Sequence, residues 1–227
     1  MRGTLLRSWD PQTQQTTGPE VDLDYYPSVF NVQTIPDAKR IILTPDNNGD
    51  PEQRWQHETP ATLKHFDKLQ INSGYPVLDY GCGIGRLSKL LIDHDADAFV
   101  VGVDISRNMR ALAGTYVNSD RFAAMPARML RQLNIRCCAA VCVYTLQHCE
   151  KPVDDIELIQ RQLLEGGRLL VINEVSRYVP ATTGSKFEWL NDGQDVWAEL
   201  ASRFRLISEE QSEFGHGRVA LYENLPP

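Results

Sequence analysis

Three glycines separated by single residues follow an acidic residue in Val77–Ser88, VLDYGCGIGRLS. Asp79 comes first, then Gly81, Gly83 and Gly85 alternate with Cys82 and Ile84. Glycine lets a backbone take up positive φ and come close to a ligand. A dinucleotide loop needs G-x-G-x-x-G, its last glycine closing helix against strand. Arg86 stands at that position, so the spacing disfavours a nicotinamide cofactor. Asp79 would repel a pyrophosphate and attract an ammonium group, by direct contact or through water. A second apolar run, VVGVD, ends in Asp104, where a carboxylate can accept hydrogen bonds from both ribose hydroxyls. Together these residues describe a ligand with a ribose and a cationic amino-acid end but no phosphate.

Further along, VYTLQHC places Tyr144 and His148 after another apolar run. His148 is the candidate base, because an unperturbed imidazole titrates close to working pH. The alternative is a histidine that bonds backbone and holds its loop. After RLLVI come Asn173, Glu174, Arg177 and Tyr178, suited to gripping a polar acceptor. Arg177 would hold a carboxylate or phosphate, or else remain a solvated loop charge. Trp55 and His57, in QRWQHETP, put an aromatic and a base at an entry to the site. Trp55 serves equally well as a staple for the segment before it, and His65 reads as a surface or interface residue.

The elements that would position these groups alternate. Thr59 caps an expected helix with Pro60 at its first position and Leu63, Phe66 and Leu69 on one face. GYPVLDYG reads as a strand, Arg86 to Asp93 as a helix, and AFVVGVD as a strand. Ser106 caps a helix with Met109, Leu112 and Ala113 inward. A short strand is expected near Arg121 to Ala124, and RCCAAVCVY reads as a buried one. DDIELIQRQLLEGG is a helix ended by Gly166 or Gly167, followed by the strand RLLVINEV. A helix around Asp195 to Arg203 precedes two final strands, RLISEE and RVALYENL. Apolar strands alternating with helices indicate an α/β fold, a doubly wound and mostly parallel sheet. The short loop before the last strand permits only an antiparallel return, so one edge of the sheet should be mixed.

The ordered set VLDYGCGIG, VVGVDISRNM, VYTLQHC and LLEGGRLLVINE resembles the motifs of the class I S-adenosylmethionine-dependent methyltransferases. The resemblance covers roughly Thr59 to the C-terminus. It implies a seven-stranded Rossmann-like sheet whose last strand runs antiparallel between two others. It also implies that S-adenosyl-L-methionine is the cofactor. Carried over by position, Asp79, Gly81, Cys82, Gly83 and Gly85 would line its methionine and ribose end, and Asp104 would hold the hydroxyls. Ile105 would pack beside the adenine, and Met109, Met125 and Tyr144 complete the cofactor set. Many members carry an acid after the third strand, but FAAMPARM has none there. The implied acceptor is a small molecule, methylated at oxygen or nitrogen, with Trp55, His57, Glu174, Arg177 and Tyr178 as its contacts and His148 as base. A protein or RNA acceptor, or a scaffold that only keeps the pocket, are the alternatives.

The chain of 227 residues carries a net charge of −7, which argues against a surface that binds nucleic acid by phosphate neutralisation. VYTLQH also lacks the proline turn of base-modifying DNA enzymes, so no DNA partner is expected. Five cysteines, three of them in one apolar run, suit reduced thiols in a cytoplasmic protein better than disulfides or a zinc site. No metal, signal peptide or membrane span is expected. The division expected is a partly irregular arm or lid over residues 1–58 and the S-adenosylmethionine-binding methyltransferase domain over 59–227. Whether the chain is a monomer or a homodimer stays open.

Overall fold

The structure, a computed structural model, describes residues 4–10, 15–43, 50–72, 74–183, 186–213 and 217–225. Two strands, β1 (Thr4–Asp10) and β2 (Gln15–Tyr25), are followed by helices α1 (Ile35–Ile42) and α2 (Pro51–Ala61). The alternating part holds β3 (Val77–Tyr80), α3 (Arg86–His94), β4 (Val100–Val103), α4 (Arg107–Val117) and β5 (Phe122–Met125). It continues with α5 (Ala127–Leu133), β6 (Cys137–Val143), α6 (Pro152–Gln162) and β7 (Leu163–Asn173). Then come β8 (Val179–Thr183), β9 (Lys186–Leu190), α7 (Val196–Arg203), β10 (Phe204–Gln211) and β11 (Arg218–Asn224).

Seven strands form the main sheet in the order β10-β11-β7-β6-β3-β4-β5. The pairs β6–β3, β3–β4, β4–β5 and β6–β7 are parallel, whereas β11 is antiparallel to both β7 and β10. This is the expected mixed edge, with the last strand between two others. All four residues of β3 and of β4 are buried, as strands covered on both faces must be. One face packs on Leu130, Ile156, Ile159, Trp197 and Leu200. The other packs on Phe66, Leu69, Leu87, Leu91 and Val117. The carboxyl ends of β3, β4, β6 and β7 therefore meet at one rim, with the order reversing between β3 and β6. That reversal is where doubly wound sheets bind ligands.

Three local features differ from the sequence expectation. Thr59 does not start a helix. Asp50 caps α2 instead, its side chain accepting from Glu52 N–H, with Pro51 in the first turn. Pro60 then falls near the end of α2, where its missing N–H ends regular α geometry, and Thr62–Leu69 continues as a 3-10 helix. The helix expected to run to Gly166 stops at Gln162, and β7 begins at Leu163.

The largest addition is a second, four-stranded sheet in the order β1-β2-β8-β9. Residues near the start of the chain pair with a segment that follows β7: Tyr25 lies opposite Ala181 and Asp24 opposite Thr182. Tyr26 N–H then donates to Pro180 O at 2.8 Å. The region read as a partly irregular arm or lid contains two strands and two α-helices among its described residues, and α2 runs across the expected boundary at 58. No described helix is long and apolar enough to cross a membrane.

Candidate active site

The glycine loop is shaped by what crowds it. A Cβ on Gly81, whose φ is +83°, would lie 2.0 Å from Thr145 Oγ1, so the loop after β3 and the loop after β6 touch there. At Gly85, φ +82°, a Cβ would meet Val117 at 2.3 Å, so this glycine brings α4 against the start of α3. The third glycine of the motif therefore does its packing one residue earlier than a dinucleotide loop would require. The Gly81 and Cys82 amides donate to Val103 O at 2.7 and 2.9 Å, tying the loop to the end of β4. Cys82 is buried, and its sulfur sits against Gly102, where a Cβ would approach it to 2.8 Å. Its backbone, not its thiol, belongs to the loop surface.

Asp104 follows β4. Its Oδ2 accepts from Gly83 N–H at 2.9 Å and its Oδ1 from Ser106 N–H at 2.8 Å. Two amides fix the carboxylate beside the bare loop, and each oxygen keeps a further lone pair for another donor. Burial raises the pKa of Asp104, while the Ser106 and Gly83 amides oppose that rise. Ser106 also caps α4, accepting from Met109 N–H at 3.2 Å. Such a cap contributes about 1 kcal/mol. Ile105, beside Asp104, is 58% exposed. Met125 ends β5, buried, and its carbonyl accepts from Asp104 N–H at 3.3 Å.

Asp79 lies beneath the loop, 2% exposed, with Oδ2 accepting from Ser88 Oγ at 2.6 Å. Burial pushes its pKa up to about 6 against the hydrogen bonds from Ser88. It thus braces the first turn of α3 and places a carboxylate under the glycines.

After β6 the backbone turns sharply at Tyr144, whose φ of +51° is unusual for a non-glycine residue. Such outliers mark positions where the surroundings fix a functional geometry. Tyr144 N–H donates to Ile172 O at 2.6 Å, and its hydroxyl pairs with Ser212 Oγ at 3.2 Å.

His148 sits in a closed set of bonds. Its Nδ1 is 2.7 Å from Tyr178 O, and a carbonyl only accepts, so Nδ1 carries the proton. Gln147 Oε1 accepts from Glu174 N–H at 2.8 Å, which turns the Gln147 amide nitrogen to His148 Nε2 at 3.1 Å. The ring's lone pair is thereby engaged. Burial holds the imidazole pKa down at about 4, so the ring is neutral near pH 7. Asn173 Oδ1 accepts from Gln147 N–H at 3.2 Å, and Tyr178 N–H donates to Gln147 O at 2.9 Å. The ends of β6 and β7 are joined by this network.

Arg177 is 1% exposed. Its Nε donates to Asp192 Oδ1 at 2.8 Å and its Nη2 to Asp192 Oδ2. Nη1 is buried with no hydrogen-bond partner among the described residues. Arg177 is a buried ion pair and not an open anion grip. Glu174 is half-buried, and its carbonyl accepts from Trp197 Nε1 at 3.1 Å.

Trp55 and Met109 lie in an apolar cluster with Ala38, Leu43 and the loop's own Ile84. Trp55 Nε1 donates to Tyr116 OH at 3.0 Å, and the two rings meet edge to face at 5.8 Å. Lys39 and Arg86 each lie 5.1 Å from the Trp55 ring. Trp55 staples α2 to α4, and His57 is exposed on α2. The structure therefore gathers Asp79, the glycines, Asp104, Met125, Tyr144, His148, Glu174 and Tyr178 along one rim. Trp55 and Met109 pack on Ile84 of the loop, and His57 is exposed on α2. Sequence reasoning missed Thr145 and Gln147, and also Asn31, which accepts from Ser106 Oγ at 3.0 Å, and Phe30 and Trp189, whose rings pack against His148. Only Thr145 and Gln147 had a signal, as neighbours of Tyr144 and His148.

Residues 78–171 match the family described as Methyltransferase domain. A ubiquinone biosynthesis O-methyltransferase of Paraburkholderia phymatum is 29% identical over 144 residues, 58% of this chain and 60% of that protein. The chain thus aligns with less than two thirds of that relative's length. The PH0226 protein of Pyrococcus horikoshii superposes with a TM-score of 0.61 at 22% identity, over 82% of this chain and 97% of that one. The glycopeptide N-methyltransferase MtfA, solved with S-adenosyl-L-methionine, gives 0.57 at 17% identity, over 74% and 94%. The chain is thus similar to the methyltransferase domain over residues 78–171, and its strand order and superpositions show the same Rossmann-like fold.

Proposed function

We propose that the protein transfers the methyl group of S-adenosylmethionine to a small-molecule acceptor, at oxygen or nitrogen. The observation that carries this reading is Asp104 held by Gly83 and Ser106 amides beside a glycine loop with no Cβ in the way. A ribose fits there: each Asp104 oxygen retains a lone pair for a hydroxyl donor. Asp79, whose proton burial retains up to about pH 6, offers charge compensation for an ammonium group. The relative from Paraburkholderia phymatum, named as an O-methyltransferase, favours oxygen over nitrogen.

When bound, S-adenosylmethionine supplies an electrophilic methyl group on sulfur. The chain's own part is alignment and exclusion of water. Asp104 would fix the ribose and Tyr144 would wall the methyl position. The Gln147–His148–Tyr178 network holds the loop after β6 in place. His148 acts by position, since its proton is on Nδ1 and its lone pair is bonded.

Incubation with methyl-labelled S-adenosylmethionine and a mixed set of phenols and amines tests the reading. Labelled product and S-adenosylhomocysteine should form together, in equal amounts. Tight cofactor binding with no transfer to any acceptor class would favour the scaffold alternative.

A further inference from the structure

The second sheet has an open edge. In the order β1-β2-β8-β9, no strand among the described residues lies beyond β9. The pairing fixes which backbone groups of β9 face outward. Tyr26 N–H donates to Pro180 O at 2.8 Å, so Pro180 and Thr182 turn toward β2, and Val179, Ala181 and Thr183 toward β9. Opposite those three stand Leu190, Glu188 and Lys186, which therefore face β8. Phe187 and Trp189 are left with N–H and C=O on the free side. The same edge carries aromatic surface: Phe187 is 47% exposed and stacks on Tyr26, 39% exposed, at 5.6 Å and 15°. Unpaired strand edges and exposed apolar rings both favour a covered state.

We propose that β9 pairs with β9 of a second copy of this chain, antiparallel about a two-fold axis, joining the two four-stranded sheets edge to edge. The strand's own residue order selects a copy of itself. An antiparallel edge bonds only where outward-facing residues stand opposite one another. With the axis at Phe187, that residue exchanges two N–H···O bonds with Phe187 of the second copy. Lys186 of each chain then stands opposite Glu188 of the other, so opposite charges meet on both sides of the axis. The stack of Tyr26 on Phe187 continues across the axis into its copy. An axis at Glu188 would instead set two carboxylates against each other, which is destabilising. A two-fold contact uses up the edge on both copies, so association stops at the dimer. Trp189, two residues along β9, lies 4.6 Å from the His148 ring, and the interface therefore adjoins the network after β6. The dimer stands independently of the methyl-transfer reading.

Sedimentation velocity on the full chain, from about 1 to about 100 μM, tests this. A species of twice the chain mass should grow with concentration. Glu188→Lys and Lys186→Glu should each weaken dimerisation about tenfold or more, because each sets like charges opposite one another. An equal mixture of the two variants should regain the dimer, since each then meets its opposite charges on the other. That recovery also shows that both variants fold. A wild-type chain that stays monomeric throughout overturns the proposal and leaves the edge to a strand of a different protein. Dimers of undiminished strength in both single variants overturn it as well, by placing the contact elsewhere. A mixture that associates no better than the variants alone overturns the register, and the proposal with it.

Discussion

Asp79 and Asp104 are two carboxylates made different by their partners. Asp104 has both oxygens on backbone amides, and Asp79 has the Ser88 hydroxyl and amide against a strong burial cost. Because the folded pKa of Asp79 is raised from 3.8 to about 6, the folded chain binds the extra proton between those values. Its contribution to stability is therefore full below the lower value and lost as pH rises through the upper one. A cationic amino-acid end bound nearby would favour the carboxylate and reverse that preference. Affinity for S-adenosylhomocysteine should then fall about tenfold from pH 7.5 to pH 5, and Asp79→Asn should flatten the dependence. Calorimetry at the two pH values checks this, and an equal slope in the variant would remove Asp79 from the ligand's surroundings. His148 shows what a residue's type alone conceals. Its place after β6 was legible, but its chemistry was set by Tyr178 O, 30 residues away, and by a glutamine rotated by Glu174 N–H.

The segments after β6 and β7 owe their shape to buried polar pairs. Arg177 and Asp192 are each 1% exposed at the side chain and bond in two places. Removing one charge leaves the other uncompensated in the interior, which costs about 3–5 kcal/mol. Asp192→Asn should lower the denaturation free energy by about that amount, read from urea unfolding. A loss below about 1 kcal/mol would mean the pair is wetter than its burial indicates. Most of the parallel strands and their helices could be read from the sequence, from an unbroken apolar run or a cap such as Ser106; β5 is only partly buried, and α5, which has no side-chain cap, was missed. The second sheet could not be read. β2 and β8 lie more than 150 residues apart in the chain; the Gly184-Ser185 link between VPATT and KFEWL is a hairpin signal that the reading passed over, but nothing local ties that hairpin to β2. The same distance hid Phe30, Asn31 and Trp189, whose partners come from other elements. Arg177 was read as an acceptor contact or a solvated loop charge, and neither reading foresaw its buried pair, because the partner lies in a loop 15 residues on.

At the scale of the molecule, one rim of the main sheet carries the glycine loop, Asp104 and the His148 network. The chain's early segment and the insertion after β7 meet beside it through β2 and β8. α1 and α2 close on α4 through Trp55 and Tyr116, against the same loop. The central claim is that a sulfonium nucleoside lies across this rim with its ribose on Asp104. Titration of S-adenosylhomocysteine into the wild-type chain and into Asp104→Asn tests it most directly. We predict one site per chain, weakened about a hundredfold in the variant as two charge-assisted hydroxyl bonds are lost. A wild-type chain that takes up no S-adenosylhomocysteine, or a variant that binds it as tightly as the parent, would contradict the account.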